Sequence, residues 1–162
     1  MNNQGPRAKT EGQGSGVKGQ GYQQLLAWQR AHQLGLAVFR STRSLVRSEG
    51  WLVRQVVRSA VSVPANIAEG YSRGSIKEYI QHLQIARGSL AETEYYLLFM
   101  RDAELLAPNV LTDLDKLRSE TARLLLGLIR SLQNGSDRPR RVGEDAVEYV
   151  IPADAVAVTP DP

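Results

Sequence analysis

The chain has 162 residues, of which 42% are apolar, 23% are charged and none is cysteine. This length corresponds to about one domain. The absence of cysteine excludes a disulfide framework, a cysteine nucleophile and a thiolate metal site. The net charge is +3, but residues 22–134 carry 14 Lys and Arg against 10 Asp and Glu, a net charge of +4. Such an excess permits salt-sensitive nucleic-acid binding, although an ordinary solvated surface also explains it.

Both ends of the chain have the composition of disordered tails. Residues 1–21 are rich in Gly and Gln and show no apolar periodicity, so we expect them to be disordered. Residues 135–162 contain four prolines and 3 basic against 6 acidic residues, which predicts a second, acidic tail. No secretory signal or membrane span is visible, so we expect a cytoplasmic protein. The predicted folded domain is residues 22–134.

The first half of this domain predicts two helices. An apolar stripe with steps of three and four indicates a helix from about Tyr22 to Val46, broken by residues 48–50. Its stripe is Leu25, Trp28, Ala31, Gly35, Val38, Thr42 and Leu45, widened by Leu26, Leu34, Leu36 and Phe39. A second helix is expected from near Trp51 to Gly70 or Gly74, with a kink at Pro64. Its inner face is Leu52, Val56, Ser59, Ala60, Val63 and Ile67.

The second half predicts two more helices. Ser75 and Glu78 form a capping-box pattern that indicates the start of the third helix. Its stripe is Tyr79, Leu83, Ala86, Leu90, Thr93, Leu97 and Met100. Pro108 suits the first turn of a fourth helix, whose stripe is Val110, Leu114, Leu117, Thr121, Leu124, Leu128 and Leu132. Four amphipathic helices with short loops predict an all-α, antiparallel up-down-up-down four-helix bundle.

Helices 2 and 3 carry more apolar residues than their inner stripes require. These are Val53, Val57, Val61, Ile76, Ile80, Ile85, Tyr95, Tyr96 and Phe99. A monomer rarely leaves such a surface in water, so we expect a homomeric interface. The alternative is a single wide core face.

No pattern of residues indicates catalysis or a cofactor. The nearest approach to a di-iron motif is Glu78 with His82, which has the wrong spacing and occurs once. His32 lies on another helix without an acidic partner at helical spacing, and both histidines are expected to be exposed. No nucleophile elbow or phosphate-binding glycine loop is present. We therefore predict a protein that is not an enzyme and holds no metal or cofactor.

The most distinctive stretch is residues 58–73, RSAVSVPANIAEGYSR. Its small residues allow another backbone to approach closely, and Asn66 and Glu69 lie on one side of the helix. They can bond to carbonyls that Pro64 leaves free or to a neighbouring chain. A catalytic carboxylate is the alternative for Glu69.

Basic residues form two groups in the sequence. Arg40, Arg43 and Arg47 lie at the end of the first helix. The second group, on helix 2, the following turn and helix 3, is Arg54, Arg58, Arg73, Lys77 and Arg87. Repetition around a symmetric oligomer would turn a modest charge per chain into a field able to hold a phosphate backbone. No aromatic stacking platform is predicted with them.

Residues 28–31 (WQRA), 58–74, 77–79 (KEY) and 88–92 (GSLAE) resemble the bacterial four-helix-bundle proteins encoded in intervening sequences of 23S rRNA genes. The resemblance covers about residues 22–134. It implies a ring-shaped homopentamer and a relation to the accessory variability protein of diversity-generating retroelements, which binds a reverse transcriptase and nucleic acid. By analogy, Arg54, Arg58, Arg73, Lys77 and Arg87 would contact nucleic acid or a partner. Pro64, Asn66, Glu69 and Gly70 would be the structural signature.

Two functions follow from these observations. The first is a homo-oligomeric scaffold, pentameric by resemblance, that binds RNA or DNA through its basic clusters. The alternative is a protein-interaction subunit, for example the partner of a retroelement reverse transcriptase.

Overall fold

The computed structural model describes residues 21–135, and these residues form an all-α structure. The helices are α1 (Leu26–Thr42), α2 (Val46–Tyr71), α3 (Ile76–Asp102) and α4 (Pro108–Gln133). Short 3-10 turns lie at Gly21–Gln24 and Arg43–Leu45. The two predicted tails, apart from residues 21 and 135, lie outside the described residues. Within the described range, no helix combines the length and apolarity needed to cross a membrane.

The four helices form a closed ring of neighbours. Helix α1 packs against α2 and α4, and α3 packs against α2 and α4, while the described residues show no diagonal contact. Neighbours run antiparallel: Ser59 of α2 bonds to Thr93 of α3, and the later residue Ser62 bonds to the earlier residue Ser89. The predicted four-helix bundle is confirmed.

The predicted end of the first helix, at about Val46, is wrong by four residues. Leu25 is extended, so α1 begins at Leu26, and α1 ends at Thr42, whose hydroxyl donates to the Val38 carbonyl at 2.8 Å. A 3-10 turn follows and α2 already begins at Val46. The expected break is nevertheless present inside α2, where Glu49 leaves the helical region (φ −119°, ψ 36°).

The other two helix starts follow the predicted capping chemistry. Ser75 caps α3, since its hydroxyl accepts from the Glu78 amide at 3.5 Å. Pro108 occupies the first turn of α4, where its missing amide hydrogen leaves no bond unmade. These caps explain why the loops between α2, α3 and α4 are short.

Pro64 lies in the interior of α2, where we expected a kink. The only residue of α2 with non-helical backbone angles is Glu49, so the helix passes through Pro64 with regular dihedrals. Pro64 has no amide hydrogen, so the Ala60 carbonyl lacks its usual intrahelical donor. That carbonyl oxygen faces α1 and lies 3.6 Å from the place a Cβ on Gly35 would occupy. An alanine at position 35 would therefore make ordinary van der Waals contacts with α2.

The inner faces of α2 and α3 are those predicted. All thirteen residues of the two predicted stripes are buried, including Val56, Ile67, Leu83 and Met100. They form the centre of a single core with residues from α1 and α4.

The predicted stripes of α1 and α4 need correction. On α1, Leu26 and Phe39 are 51% and 54% exposed, while Trp28, Leu36 and Leu45 are half-buried. On α4, Leu125 and Ile129 are buried instead of their predicted neighbours Leu124 and Leu128, and Val110 and Leu117 are only half-buried. After Thr121 the buried residues of α4 follow at steps of four, Leu125 and Ile129, so Leu124 and Leu128 lie at the edge of the core.

Candidate nucleic-acid interface

Three arginines surround one depression at the end of the bundle where α1 turns into α2. Arg43 follows α1, and Arg54 and Arg58 lie one turn apart on α2. We call these three residues, with the apolar floor between them, the basic pocket. The floor is Phe39, Val46, Val53 and Val57, and the pocket has a volume of about 350 Å³. Guanidinium groups around an apolar floor can contact a phosphate and a flat base together.

The local sequence explains this geometry. The 3-10 turn Arg43–Leu45 and the irregular Glu49 fold α2 back beside the end of α1. Arg54 and Arg58 are four residues apart, so they share one face of α2. From the sequence, Arg43 belongs to a separate cluster and Phe39 to the core stripe. Neither residue is predicted to join Arg54 and Arg58, because that meeting depends on the path of the chain between the two helices.

One arginine of the basic pocket has an intramolecular ion pair. Arg58 Nη2 lies 2.8 Å from Glu92 Oε1 on α3, and both side chains are partly exposed. Tyr96 also donates to the same carboxylate oxygen at 3.4 Å. An exposed pair of this kind contributes little to stability, so its exchange for a phosphate contact has a small cost.

The other three predicted contact residues lie elsewhere. Arg73 pairs with Glu69 at the far end of α2, about 28 Å along the helix axis from Arg54. Lys77 is exposed on the first turn of α3. Arg87 is exposed at mid-helix. The structure therefore brings together two of the five predicted residues, with Arg43 as the third member.

The signature residues Pro64, Asn66, Glu69 and Gly70 all lie in the second half of α2. Asn66 Nδ2 donates to the Ser62 carbonyl at 2.8 Å and to the Ser62 hydroxyl at 3.0 Å, and that hydroxyl bonds to Ser89 of α3. Asn66 therefore does not reach the Ala60 carbonyl that Pro64 leaves free.

Gly70 marks the closest approach of α2 to α3. A Cβ at this position would lie 2.6 Å from His82 Cβ and 2.8 Å from Tyr79 Cδ2, so any other residue would force the helices apart. Burial raises the pKa of the Tyr79 phenol above its usual value of 10.0, and Tyr71 acts in the same direction.

The two histidines have different environments. His82 is largely buried rather than exposed as predicted, with Nε2 at 3.8 Å from Glu69 Oε1. His32 is exposed and stacks on Trp28, with ring centroids 4.9 Å apart. Among residues 21–135 no cluster of His, Cys, Asp or Glu could hold a metal ion.

The comparisons with known proteins agree with this fold. The family model of the 23S rRNA-intervening sequence protein matches residues 23–127. The chain belongs to this family. A crystal structure of a protein of unknown function from the S23 ribosomal protein family of Bacteroides thetaiotaomicron VPI-5482 is similar, with a TM-score of 0.61 and 23% identity. The similarity covers 65% of this chain and 99% of that one, and no curated protein sequence matches.

For this member of the 23S rRNA-intervening sequence family, part of the predicted interface surface is exposed. On the outer side of α2 and α3, Phe99 is 40% exposed and meets Trp51, a residue outside the predicted set that is 53% exposed, edge to face at 6.2 Å. The other exposed members of the predicted set are Val61, Ile76, Ile85 and Tyr95. Val53 was also predicted there but is buried, and Val57, Ile80 and Tyr96 are half-buried.

Proposed function

We propose that this protein is a non-enzymatic, homo-oligomeric scaffold that binds RNA through its basic pocket. The observation that carries the proposal is the convergence of Arg43, Arg54 and Arg58 on one depression. Arginine suits phosphate because its planar fork can donate two parallel hydrogen bonds. Phosphate contacts position a nucleic acid without reading its sequence, which is the role we assign to this pocket.

The floor of the basic pocket supports single-stranded or looped RNA as the ligand. Phe39 is more than half exposed at its edge, and Val46 is exposed beside it. An unstacked base can lie on such a ring, and loops in RNA offer unstacked bases that duplex DNA does not. Because the family is named for 23S rRNA intervening sequences, a stem-loop of 23S rRNA is the first RNA to test.

Self-association of the chain is the second part of the proposal. The exposed aromatic edge of α2 and α3, centred on Trp51, Tyr95 and Phe99, is the surface that a second copy would cover. A ring assembly, pentameric as the family resemblance implies, would repeat the basic pocket around one axis. The fields of the repeated pockets would then add along a bound phosphate backbone.

The RNA-binding test uses two variants with the same change of charge. Affinity for a labelled 23S rRNA stem-loop is measured by fluorescence anisotropy between 50 and 200 mM salt. Arg43→Ala/Arg54→Ala/Arg58→Ala should weaken binding and reduce the slope of log K against log salt by about 2 to 3, since each lost phosphate contact removes roughly 0.7–0.9. The control, Arg73→Ala/Lys77→Ala/Arg87→Ala, should retain most of the wild-type slope.

Two results of this test would contradict the proposal. Absence of binding by the wild type at 50 mM salt, or binding that does not respond to salt, would rule out an RNA-binding role of the kind proposed. An equal loss in both triple variants would show that general charge, and not the basic pocket, holds the RNA.

The assembly is tested by mass in solution. Light scattering of the wild type should give a multiple of the chain mass, five by resemblance. Trp51→Glu/Tyr95→Glu should reduce it, whereas Leu26→Glu, which adds a charge on the opposite side of the bundle, should not. A monomeric wild type would remove this part of the proposal.

The accessory subunit of a retroelement reverse transcriptase stays a second prediction from the resemblance. A reverse-transcriptase gene and a template repeat beside this gene would favour it. A location inside a 23S rRNA gene would favour the RNA scaffold.

A further inference from the structure

A leucine-lined groove runs between the start of α1 and the last turns of α4, and nothing in residues 21–135 covers it. We call it the leucine groove. Its volume is about 560 Å³, and Leu26, Leu124 and Leu128 line it. Leu26 is 51% exposed. Gly127 lies in its wall, where an added Cβ would have no neighbour within 4 Å.

Two arginines mark the length of the leucine groove. Arg123 and Arg130 both line it and both are exposed. Seven residues of helix separate them, which corresponds to about 10.5 Å along α4. Within residues 21–135 neither guanidinium has an ion pair, and the nearest carboxylate along α4, Glu120, is paired with Arg30 of α1 at 3.0 Å. The groove therefore offers an apolar centre and two unused positive charges.

The chain itself contains a segment with the complementary chemistry. Residues 144–151 read EDAVEYVI, with three acidic residues, no basic residue and five apolar ones. Glu144 and Glu148 are four residues apart, so an extended chain would place them on one face, about 13 Å from each other. Long arginine side chains about 10.5 Å apart along α4, those of Arg130 and Arg123, can reach both carboxylates.

The connection is long enough for this segment to return to the groove. The described structure ends at Gly135, about 7.5 Å along α4 beyond Arg130. Residues 136–143 follow, and eight residues can span up to about 26–29 Å. The basic pocket lies at the other end of α1, a helix about 25 Å long. The leucine groove is therefore the basic surface nearer to Gly135.

We propose that residues 144–151 bind the leucine groove of their own chain, with Glu144 beside Arg130 and Glu148 beside Arg123. The apolar residues between and after the two acids, Val147, Tyr149 and Ile151 among them, would cover the exposed leucines. This contact would remove an apolar surface from water and pair both arginines. It uses a face of the bundle away from the basic pocket.

The test is a distance measurement in the full-length protein by double electron-electron resonance. The natural chain has no cysteine, so spin labels attach only at introduced sites, here Lys116→Cys on α4 and Asp154→Cys. In the proposed orientation residue 154 lies about 20 Å beyond Arg123 along α4, roughly 10 Å past the level of residue 116. The expected result is a single narrow, short distance. A broad distribution would overturn the proposal.

Charge exchange supplies the specific control. Arg123→Glu/Arg130→Glu should broaden the distance distribution, and adding Glu144→Arg/Glu148→Arg should restore the narrow distance. Lys77→Glu/Arg87→Glu makes the same change of charge on α3 and should leave the distance unaltered. Failure of the exchange to restore the distance would show that these four residues do not pair.

Dilution with excess unlabelled protein identifies the chain that provides the segment. A short distance that persists on dilution shows binding within one chain, as proposed. A short distance that disappears shows that a second copy donates the segment, which would overturn the assignment to the same chain.

Discussion

The contact between α2 and α3 and the contact between α1 and α4 are built differently. Helices α2 and α3 meet through small and hydroxylated residues, with Ser59 bonded to Thr93 and Ser62 to Ser89, and with Gly70 at their closest point. Helices α1 and α4 meet beside a groove, with the pair Arg30–Glu120 next to it. Gly70, one of the residues predicted as the structural signature, lies in the first contact, where the backbones approach too closely for a larger side chain.

Residues that shape the bundle differ from the exposed arginines that are available to bind a ligand. Asn66 is occupied with bonds to Ser62 within α2, and Gly70 packs against His82 and Tyr79 of α3. Arg43 and Arg54 of the basic pocket, and Arg123 and Arg130 of the leucine groove, point to solvent. Substitutions at the α2–α3 contact should therefore lower the stability of the bundle. Substitutions of these exposed arginines should alter binding with little effect on folding.

The largest expected difference concerns two glycines in helix interiors. Gly70→Ala places a methyl group against His82 and Tyr79 and should lower the free energy of unfolding by about 1–3 kcal/mol. Gly127→Ala, on α4, meets open space and should raise it by roughly 0.5–1 kcal/mol, because alanine favours the helix. Urea unfolding followed by circular dichroism measures both. Equal changes in the free energy of unfolding would show that the surroundings of Gly70 and Gly127 are packed equally closely.

A smaller difference is expected for two buried threonines. Thr93 Oγ1 lies 3.0 Å from Ser59 Oγ across the α2–α3 contact, whereas Thr121 Oγ1 bonds only within α4, to the Leu117 carbonyl at 2.7 Å. Thr93→Val should destabilise by about 1 kcal/mol more than Thr121→Val, since it leaves a buried hydroxyl with one partner fewer. Thermal unfolding of the two variants provides the comparison. A larger loss for Thr121→Val would contradict it.

The smallest effect at neutral pH is expected for Tyr79→Phe. The Tyr79 hydroxyl is buried, and the described residues offer it no hydrogen-bond partner, so its removal should be nearly neutral at pH 7. Because burial raises the Tyr79 pKa in the folded state, the wild type should lose stability as the pH rises above about 10, the value of an unfolded tyrosine.

Unfolding between pH 8 and 11 checks this dependence on pH. Tyr79→Phe should lose less stability over that range than the wild type does. Tyr95→Phe, at an exposed tyrosine, is the matched control and should follow the wild type. A steeper alkaline loss in Tyr79→Phe would contradict the assigned environment.

Helical periodicity predicted the interior of this bundle well on α2 and α3. The α3 stripe from Tyr79 to Met100 is buried at every predicted position. On α4, strict alternation of three and four selected Leu124 and Leu128, while the real helix buries Leu125 and Ile129. The outward turn of Leu124 and Leu128 is what lines the leucine groove.

The candidate site was less accessible to sequence reasoning. Arg54 and Arg58 share a helix face and were grouped from spacing alone. Their union with Arg43 and Phe39 depends on the 3-10 turn and on the backbone of Glu49. Helical periodicity cannot predict this change in the direction of the chain. Arg73 was grouped with these arginines by proximity in sequence, although it lies at the opposite end of α2, where it pairs with Glu69.

The central claim is that the α2–α3 contact shapes the bundle while the basic pocket binds RNA. Hydrogen exchange of the full-length protein, with and without the 23S rRNA stem-loop, tests it most directly. We predict that RNA slows exchange in residues 39–58 and leaves the already protected amides of residues 59–70 and 79–93 unchanged. Protection centred on residues 69–77, around Arg73 and Lys77, would contradict the account.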